Sequence, residues 1–223
     1  MREFIEVASS PCGATEIDLG FEASPVSCVL VLAGGAGVRI GGAKPERALG
    51  GHRLIDHTIQ IARRGGRRVA VGLRAAEQVE VDGVRVVLDR PDIEGPLAGL
   101  AAGLEWAKEV GADFLFTLPC DAPFLPHDLA ERLQMRQRAS GAAVVLPASH
   151  GRLHPSCGVW RTNVICALRD FLSSRRRSLI GFAEHAGYAV EDWGAPARDP
   201  FFNVNTPEDL AQAEAWFAQP HFE

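Results

Sequence analysis

A lysine and an arginine stand in a glycine-rich segment that follows an apolar run. The stretch CVLVLAGGAGVRIGGAKPERALGG, residues 28–51, contains seven glycines together with Arg39 and Lys44. Glycines let a backbone approach a phosphate closely and turn its N–H groups toward it. A lysine adds a point charge on a phosphoryl group, and an arginine adds a planar pair of donors. The segment predicts a phosphate-binding loop, with a flexible strand-to-helix connection as the alternative.

The lysine at position 44 is an unusual choice in this chain. Among the 223 residues there are 21 arginines and only two lysines, Lys44 and Lys108. Because arginine stands almost everywhere a cation occurs, a lysine in the glycine loop indicates a need for its compact charge. The segment matches neither the GxxxxGK[ST] pattern of a Walker A loop nor a GxGxxG that opens a helix, so neither of those nucleotide-binding motifs is present.

A carboxylate follows a second apolar run. In TLPCDAPFLP, residues 117–126, Asp121 comes directly after a predicted strand, and three prolines stiffen the turn around it. Magnesium takes one or two protein carboxylates and completes its coordination with substrate phosphates. A carboxylate at the end of a strand, across from a phosphate loop, is placed for that role. Asp121 is therefore predicted to bind Mg²⁺, with a turn or helix cap as the alternative.

A third strand end precedes a helix that is rich in small residues. In LDRPDIEGPLAGLAAGL, residues 88–104, Asp89 follows the strand, and Gly95, Gly99 and Gly103 recur at every fourth position. That spacing places the three glycines on one face of a helix. At Gly95, at the mouth of the helix, we expect close approach of a ligand. At Gly103 we expect packing of the helix against the sheet.

Short apolar runs alternate with helical segments along most of the chain. We expect strands at 27–33, 68–73, 84–88, 113–118, 142–147 and 156–160, and helices at 54–64, 97–109, 127–139, 162–172, 178–186 and 206–217. Continuous Val, Leu and Phe runs are typical of strands buried on both faces. The fold class predicted is α/β, a doubly wound and mostly parallel sheet in three layers. Residues 1–25 are interpreted as an N-terminal extension and 26–223 as one domain.

Composition restricts the class of protein and of partner. The apolar runs are far shorter than the roughly 20 residues of a membrane helix, and the first 25 residues lack the apolar core of a signal peptide. Five scattered cysteines without CxxC spacing are typical of free thiols in a reducing compartment. A net charge of −5 argues against a nucleic-acid polymer as partner. We therefore expect a cytoplasmic protein that binds small molecules.

Two further groups of reactive side chains are interpreted as structural. His150, His154 and Cys157 lie close together in the sequence but lack a fourth ligand at a matching distance, so we predict no metal there. Cys120 stands beside Asp121 without an adjacent histidine, which favours a small buried residue over a nucleophile.

Five motifs in a fixed order give the chain a family resemblance. LAGG with the following arginine–glycine–glycine–lysine loop, EGPLAGL, TLPCDAPF, HPSCGVW and FFNVNTPEDL occur in this sequence between about residues 27 and 217. In this respect the chain resembles the molybdenum cofactor guanylyltransferase (MobA) family, a group of nucleotidyltransferases with a Rossmann-like α/β fold. The resemblance covers nearly everything except the N-terminal extension.

The resemblance implies an activity and a set of site residues. It implies Mg²⁺-dependent transfer of GMP from GTP to the phosphate of molybdenum-bound molybdopterin, with release of pyrophosphate. It also implies other molybdenum cofactor biosynthesis proteins and apo-molybdoenzymes as partners. Lys44, Arg39 and Asp121 would be catalytic, with Asp121 also the metal ligand. The residues matched to the nucleotide side are Leu32, Ala33, Gly34, Gly35, Lys44, Asp89, Gly95, Gly99 and Asp121. Arg177 or its neighbour Arg176, together with Asn205, match the pterin side.

Two positions depart from the family pattern. The loop usually reads Gly-Gly-x-Asp-Lys, whereas this chain has Gly41-Gly42-Ala43-Lys44, which is one residue shorter and lacks the aspartate. After the second strand the family often has an asparagine, and this chain has Arg74 after Gly72 and Leu73. The alternatives are a related cytidylyltransferase, an enzyme for another phosphorylated acceptor such as a sugar phosphate, and a catalytically silent nucleotide-binding module.

Overall fold

The computed structural model describes residues 25–35, 42–174 and 176–219. The expected N-terminal extension, 1–25, lies outside these residues except for its last position. Arg39 and Gly41 of the glycine loop also lie outside them, so the predicted role of Arg39 is not addressed by the structure. The division of the chain into an extension and one domain stays a prediction.

A mostly parallel sheet organises the described part of the chain. The strands of the described residues are β1 (Ser27–Leu32), β2 (Ala48–Leu49), β3 (His52–Arg53), β4 (Arg68–Leu73), β5 (Arg85–Leu88), β6 (Phe114–Pro119), β7 (Val144–Ser149), β8 (Arg152–Leu153), β9 (Gly158–Arg161) and β10 (Tyr188–Asp192). The main sheet has the strand order β10-β7-β9-β6-β1-β4-β5, with β8 paired to β7, and β2 and β3 form a separate hairpin. Within the main sheet, β9 runs antiparallel between β6 and β7, and β8 is antiparallel to β7. All six predicted strands are present.

Helices cover both faces of the sheet. The α-helices of the described residues are α1 (Leu54–Ala62), α2 (Pro96–Glu109), α3 (Leu129–Ser140), α4 (Ile165–Ser173), α5 (Leu179–Ala186) and α6 (Pro207–Phe217). Each predicted helix is confirmed, with ends that shift by up to three residues. The largest shift is at α4, because Thr162–Val164 form a 3₁₀ turn ahead of it. No helix in the described ranges combines the length and apolar character needed to cross a membrane.

The strand periodicity divides the core into two halves. On β1, Cys28 and Leu30 are buried against the side that holds α2, α4 and α5, whereas Val29 and Val31 are buried against α1 and α3. Successive side chains of a strand point to opposite faces, so a continuous apolar run satisfies both halves. This arrangement is the predicted three-layer α/β/α fold.

Gly103 lets α2 lie close to the sheet, as predicted. A Cβ atom added at this position would lie 2.4 Å from Leu30 Cδ2 and 3.1 Å from Leu115 Cδ2. Both leucines are fully buried in the core. Small side chains on this face of the helix therefore set the distance between α2 and the strands that end at the cleft described below.

Replacing Gly158 by alanine is predicted to destabilise the sheet. A Cβ atom there would lie 2.8 Å from the backbone oxygen of Val145, which cannot move without disturbing the ladder between β7 and β9. Gly158→Ala should lower the free energy of unfolding by about 1–3 kcal/mol, measured by urea denaturation.

Gly72→Ala, in the neighbouring strand β4, is the matched control. A Cβ atom at Gly72 would make an ordinary 3.6 Å contact with Leu30. Its effect on the free energy of unfolding should stay within about 0.5 kcal/mol. Equal destabilisation by the two substitutions would contradict the packing described for β9.

Candidate active site

A cleft of about 800 Å³ opens at the carboxyl edge of the sheet. The carboxyl ends of parallel strands share one edge, which is where ligands bind in open α/β sheets. The lining includes most of the residues predicted to form the site: Leu32, Gly34, Gly35, Lys44, Asp89, Gly95, Gly99, Asp121 and Arg177. Ala33, Arg176 and Asn205 are not part of this lining. Asn205 contacts the lining through a hydrogen bond with Lys44.

Lys44 joins two distant segments at the centre of the cleft. Its ammonium group donates a hydrogen bond to the carboxylate of Asp121, with which it forms an ion pair, and another to Asn205 Oδ1 at 2.7 Å. The side chains of Lys44 and Asp121 are only 13% and 15% exposed. From the sequence, Lys44 and Asp121 are predicted to act on the triphosphate and Asn205 to lie on the pterin side. In the structure the three form one polar centre.

Backbone contacts hold the two partners of Lys44 in place. Asp121 follows β6, and its carbonyl oxygen accepts a hydrogen bond from the N–H of Val204 at 2.9 Å. Thr206 and Asp209 form a capping box at the start of α6. The Asp209 carboxylate, which is part of this box, also accepts a hydrogen bond from the N–H of Asn205 at 2.9 Å. The end of β6 and the segment before α6 are thereby fixed against each other.

Lys44 itself starts a short 3₁₀ turn, Lys44–Glu46. The preceding residue, Ala43, has a φ of 45°, in the left-handed region that residues with a Cβ atom rarely adopt. Ala43 stands where the family pattern has an aspartate, so the residue before Lys44 brings no carboxylate. Among the described residues, Lys44 forms its ion pair with Asp121.

The oxygen donors at this centre fit a magnesium ion. Asp121 supplies one carboxylate, and Asn205 supplies an amide oxygen close by. Within the described ranges no group of three or more His, Cys, Asp or Glu side chains could enclose a metal. A cation at Asp121 would therefore take its remaining ligands from water and from substrate, which is the usual arrangement for Mg²⁺.

Asp89 lines the cleft between two glycines. A Cβ atom at Gly34 would lie 2.4 Å from Asp89 Oδ2, and one at Gly99 would lie 3.0 Å from Asp89 Oδ1. Both glycines are therefore needed to make room for this carboxylate. Burial raises the pKa of Asp89, although the nearby Arg74 guanidinium acts to lower it. Among the described residues no group donates a hydrogen bond to the carboxylate, so its oxygens are available to donors on a ligand.

The first turn of α2 also faces the cleft. Gly95 precedes the helix with a φ of 75°, a conformation that favours glycine, and Pro96 opens the helix. The positive end of a helix dipole attracts anions, and α2 is long enough to supply one. The approach of a ligand to Gly95 stays a prediction.

The structure separates the two neighbouring arginines considered for the pterin side. Arg177 lines the cleft, and its guanidinium donates to the backbone oxygens of Leu172 and Arg176. Arg176 instead forms an exposed ion pair with Glu184 at 2.8 Å. Of the two, the geometry favours Arg177 as a ligand-binding residue.

Ala33 contributes structure rather than a free backbone donor. Its N–H donates to Gly72 O at 2.9 Å, and its carbonyl oxygen accepts from Gln78 Nε2 at 2.7 Å. Gln78 Oε1 in turn accepts from the N–H of Arg74 at 3.0 Å. Gln78 thus ties together the segments that follow β1 and β4. Sequence reasoning missed this residue because nothing in its local pattern distinguishes it from a surface glutamine.

Several residues that line the cleft were not predicted to belong to the site. Arg74, Pro155, Ser156 and Asn203 line the cleft as well. Asn203 Oδ1 is buried without a hydrogen-bond partner among the described residues. The signal that could have found it is the repeated asparagine of NVNTPEDL, in which only Asn205 was considered. Ser156 lies in the HPSCGVW motif.

A buried polar network supports the segment that leads to the two asparagines. Ser149 Oγ donates to Asp199 Oδ1 at 2.7 Å and lies 2.8 Å from His154 Nε2. The ring of His154 stacks on Phe201 with centroids 4.7 Å apart, and burial lowers the pKa of His154. His154 therefore has a role in positioning residues 199–205.

Cys120 lines the cleft beside Asp121 but does not suit a nucleophile. Burial raises the pKa of its thiol to about 12. A thiol with this pKa stays protonated at neutral pH, and the thiolate is the nucleophilic form. The interpretation of Cys120 as a small buried residue agrees with this environment.

Comparisons with known proteins show which family the chain resembles. The model of the MobA-like NTP transferase domain matches residues 29–187. A molybdenum cofactor guanylyltransferase of Acidiphilium cryptum is 41% identical over 192 residues, which cover 83% of this chain and 93% of the relative. A protein of the same name from Cereibacter sphaeroides is 40% identical over 190 residues, covering 83% of this chain and 94% of the relative.

Solved structures show the same fold. A molybdopterin-guanine dinucleotide biosynthesis protein A from Archaeoglobus fulgidus superposes with a TM-score of 0.70 at 22% identity, covering 86% of this chain and 99% of that one. A CMP:2-keto-3-deoxy-manno-octonic acid synthetase complexed with CTP gives a TM-score of 0.68 at 17% identity, covering 87% and 99%. These structures show that the chain has the nucleotidyltransferase fold. The family model and the sequence relatives also show its family. The chain belongs to the MobA-like NTP transferase family.

Proposed function

We propose that this protein transfers GMP from GTP to the phosphate of molybdenum-bound molybdopterin and releases pyrophosphate. The observation that supports the proposal most strongly is the centre formed by Lys44, Asp121 and Asn205 in the cleft. It brings a cation and a carboxylate together at the carboxyl edge of the sheet, where ligands bind in open α/β sheets. Relatives that are 40–41% identical have the name of this activity.

The reaction requires two anions to be brought together. The attacking group is a phosphate, and the electrophile is the α-phosphorus of a triphosphate. Lys44, the first turn of α2 and Arg177 lie where they can reduce this repulsion, and we assign Arg39 to the same task. Positioning and charge stabilisation are sufficient for such a transfer, so no covalent enzyme intermediate is needed. When bound at Asp121, Mg²⁺ supplies further positive charge for the triphosphate.

The two substrates are assigned to opposite halves of the cleft. Leu32, Gly34, Gly35, Asp89, Gly95 and Gly99 lie on the half formed by β1, β4 and β5. We assign this half to GTP, with the oxygens of Asp89 accepting from nucleotide donors. We assign the other half to the pterin, where Ser156 and Asn203 line the wall. Arg177, whose backbone oxygen would lie 3.8 Å from a Cβ atom at Gly95, stands where the two halves meet, and we assign it to the pterin as well. Asp121 stands between the halves.

Partners and location extend the proposal. We infer that other molybdenum cofactor biosynthesis proteins and apo-molybdoenzymes supply the acceptor and receive the product. The cysteines of the described residues, Cys28, Cys120, Cys157 and Cys166, are free. Free thiols suit a reducing compartment, which supports a cytoplasmic location.

The nucleotide preference can be measured directly. The protein is incubated with Mg²⁺, molybdenum-bound molybdopterin and one nucleoside triphosphate at a time, and pyrophosphate is measured. We expect release with GTP that depends on the acceptor. Release with CTP but not GTP would identify a cytidylyltransferase. Tight GTP binding without turnover would indicate a silent nucleotide-binding module.

Asp121→Asn is predicted to abolish Mg²⁺-dependent turnover, because the amide keeps the shape of the side chain but loses the charge that binds the cation. A loss of at least about 10²–10³ in kcat is expected, with an unchanged circular dichroism spectrum. Asp128→Asn is the control, since Asp128 is an exposed aspartate that precedes α3 and does not line the cleft. Turnover of Asp121→Asn equal to that of the control would remove Asp121 from this role.

Asp89→Asn is predicted to raise the KM for GTP by about 10- to 100-fold, the range expected for loss of a hydrogen bond to a charged group. Because burial raises the pKa of Asp89, the carboxylate gains a proton at a higher pH than an ordinary aspartate. In the wild type, the KM for GTP should therefore start to rise on acidification above the usual carboxyl range.

In Asp89→Asn this part of the pH dependence should be absent, since the amide does not titrate. Asp92→Asn is the matched control, because Asp92 is exposed and forms a surface ion pair with Arg90. A pH profile that is identical in the wild type and Asp89→Asn would contradict a GTP contact by the ionised carboxylate.

A further inference from the structure

Resting on the proposed function, we propose that Lys44 and the divalent cation compete for Asp121. In this proposal the ammonium group of Lys44 binds Asp121 and Asn205 until a triphosphate draws it away. The carboxylate is then free for the cation, so nucleotide and cation bind cooperatively. The cation alone binds weakly.

The geometry of the centre is the first argument. The ammonium group contacts the Asp121 carboxylate and Asn205 Oδ1 at the same time. These are the oxygen atoms that fit a hard cation, so Lys44 occupies the place where one would bind. Both charged side chains are mostly buried, at 13% and 15% exposure, and solvent screens their interactions less than at the surface.

The charge of the centre is the second argument. One carboxylate neutralises one ammonium group, and in the described residues no other carboxylate lies within ion-pair distance of Lys44. Ala43, beside Lys44, brings no carboxylate. A dication on Asp121 would therefore lie next to an ammonium group without compensating charge, and their repulsion would oppose binding.

A triphosphate changes this balance. It brings several negative charges into the cleft, enough to accompany both the lysine and a dication. The lysine side chain has four rotatable bonds, so its ammonium group can move from Asp121 to a phosphate while the backbone stays in place. Linkage requires that the nucleotide strengthens cation binding by the same factor as the cation strengthens nucleotide binding.

Manganese is a suitable probe, because free Mn²⁺ gives an electron paramagnetic resonance signal that disappears on binding. The wild type is titrated with Mn²⁺ alone and then in the presence of a GTP analogue with a methylene group between the α- and β-phosphates. We expect the analogue to increase the Mn²⁺ affinity of the protein by about tenfold or more, after correction for Mn²⁺ bound by free analogue. Equal affinities would overturn the proposal without the use of any variant.

Lys44→Met tests the role of the ammonium group. This variant should bind Mn²⁺ alone about tenfold or more tightly than the wild type, since the competing charge is gone. Lys108→Met is the matched control, because Lys108 is the other lysine of the chain and is exposed on α2. The control should bind Mn²⁺ as the wild type does. Circular dichroism verifies the fold, and Lys44→Gln replaces Lys44→Met if the latter does not fold.

A double variant identifies the site of the extra affinity. Lys44→Met combined with Asp121→Asn should lose the gain in Mn²⁺ binding. A gain that persists in the double variant would overturn the proposal, as would a single variant that binds Mn²⁺ no more tightly than the wild type.

The titration with Mn²⁺ alone involves neither transfer nor the pterin. Its failure in a protein that performs guanylyl transfer would overturn the competition alone. A gain in Mn²⁺ affinity in a protein that performs no transfer would overturn the proposed function alone.

Discussion

The hydrogen-bonded ion pair of Lys44 and Asp121, completed by Asn205, is the contact on which the site depends. It joins the loop after β1, the end of β6 and the segment before α6, and Lys44 and Asn205 are 161 residues apart in the chain. Parallel pairing of β1 with β6 brings the first two segments to one edge, and the backbone bond from Val204 to Asp121 brings the third. The fold thereby assembles a centre that no single segment contains.

A second constraint comes from Asp89. Its carboxylate fills the space left by Gly34 and Gly99, so the small residues of two motifs have a common physical cause. Holding a half-buried carboxylate without a donor among the described residues costs stability, and the raised pKa of Asp89 reflects that cost. Such a cost is expected where function requires it, because a ligand donor can satisfy the oxygens. The cleft therefore has the ion pair of Lys44 and Asp121 at its centre and a second carboxylate, Asp89, that two glycines accommodate.

The sequence predicted the strands that are apolar on both faces and the helices that pack on them. It missed β10, which is a partly exposed strand with two acidic residues, and the two-residue strands, which have too few residues for a pattern. Asp89 and Asp121 were found because they follow apolar runs, and Lys44 because it is one of only two lysines and stands in the glycine-rich segment. The contact of Lys44 with Asn205, the choice of Arg177 over Arg176, and the bridge made by Gln78 depend on packing between distant segments, which local patterns do not encode.

In the proposed reaction the α-phosphate of GTP, with its nucleoside, moves to the phosphate of the pterin. Isotopic labelling follows this transfer, with GTP carrying ³²P at either the α- or the γ-position and molybdenum-bound molybdopterin as acceptor. The transfer predicts that the α-label appears in the pterin product, while the γ-label appears only in pyrophosphate. A γ-label in the pterin, or no label in it from either position, would contradict guanylyl transfer.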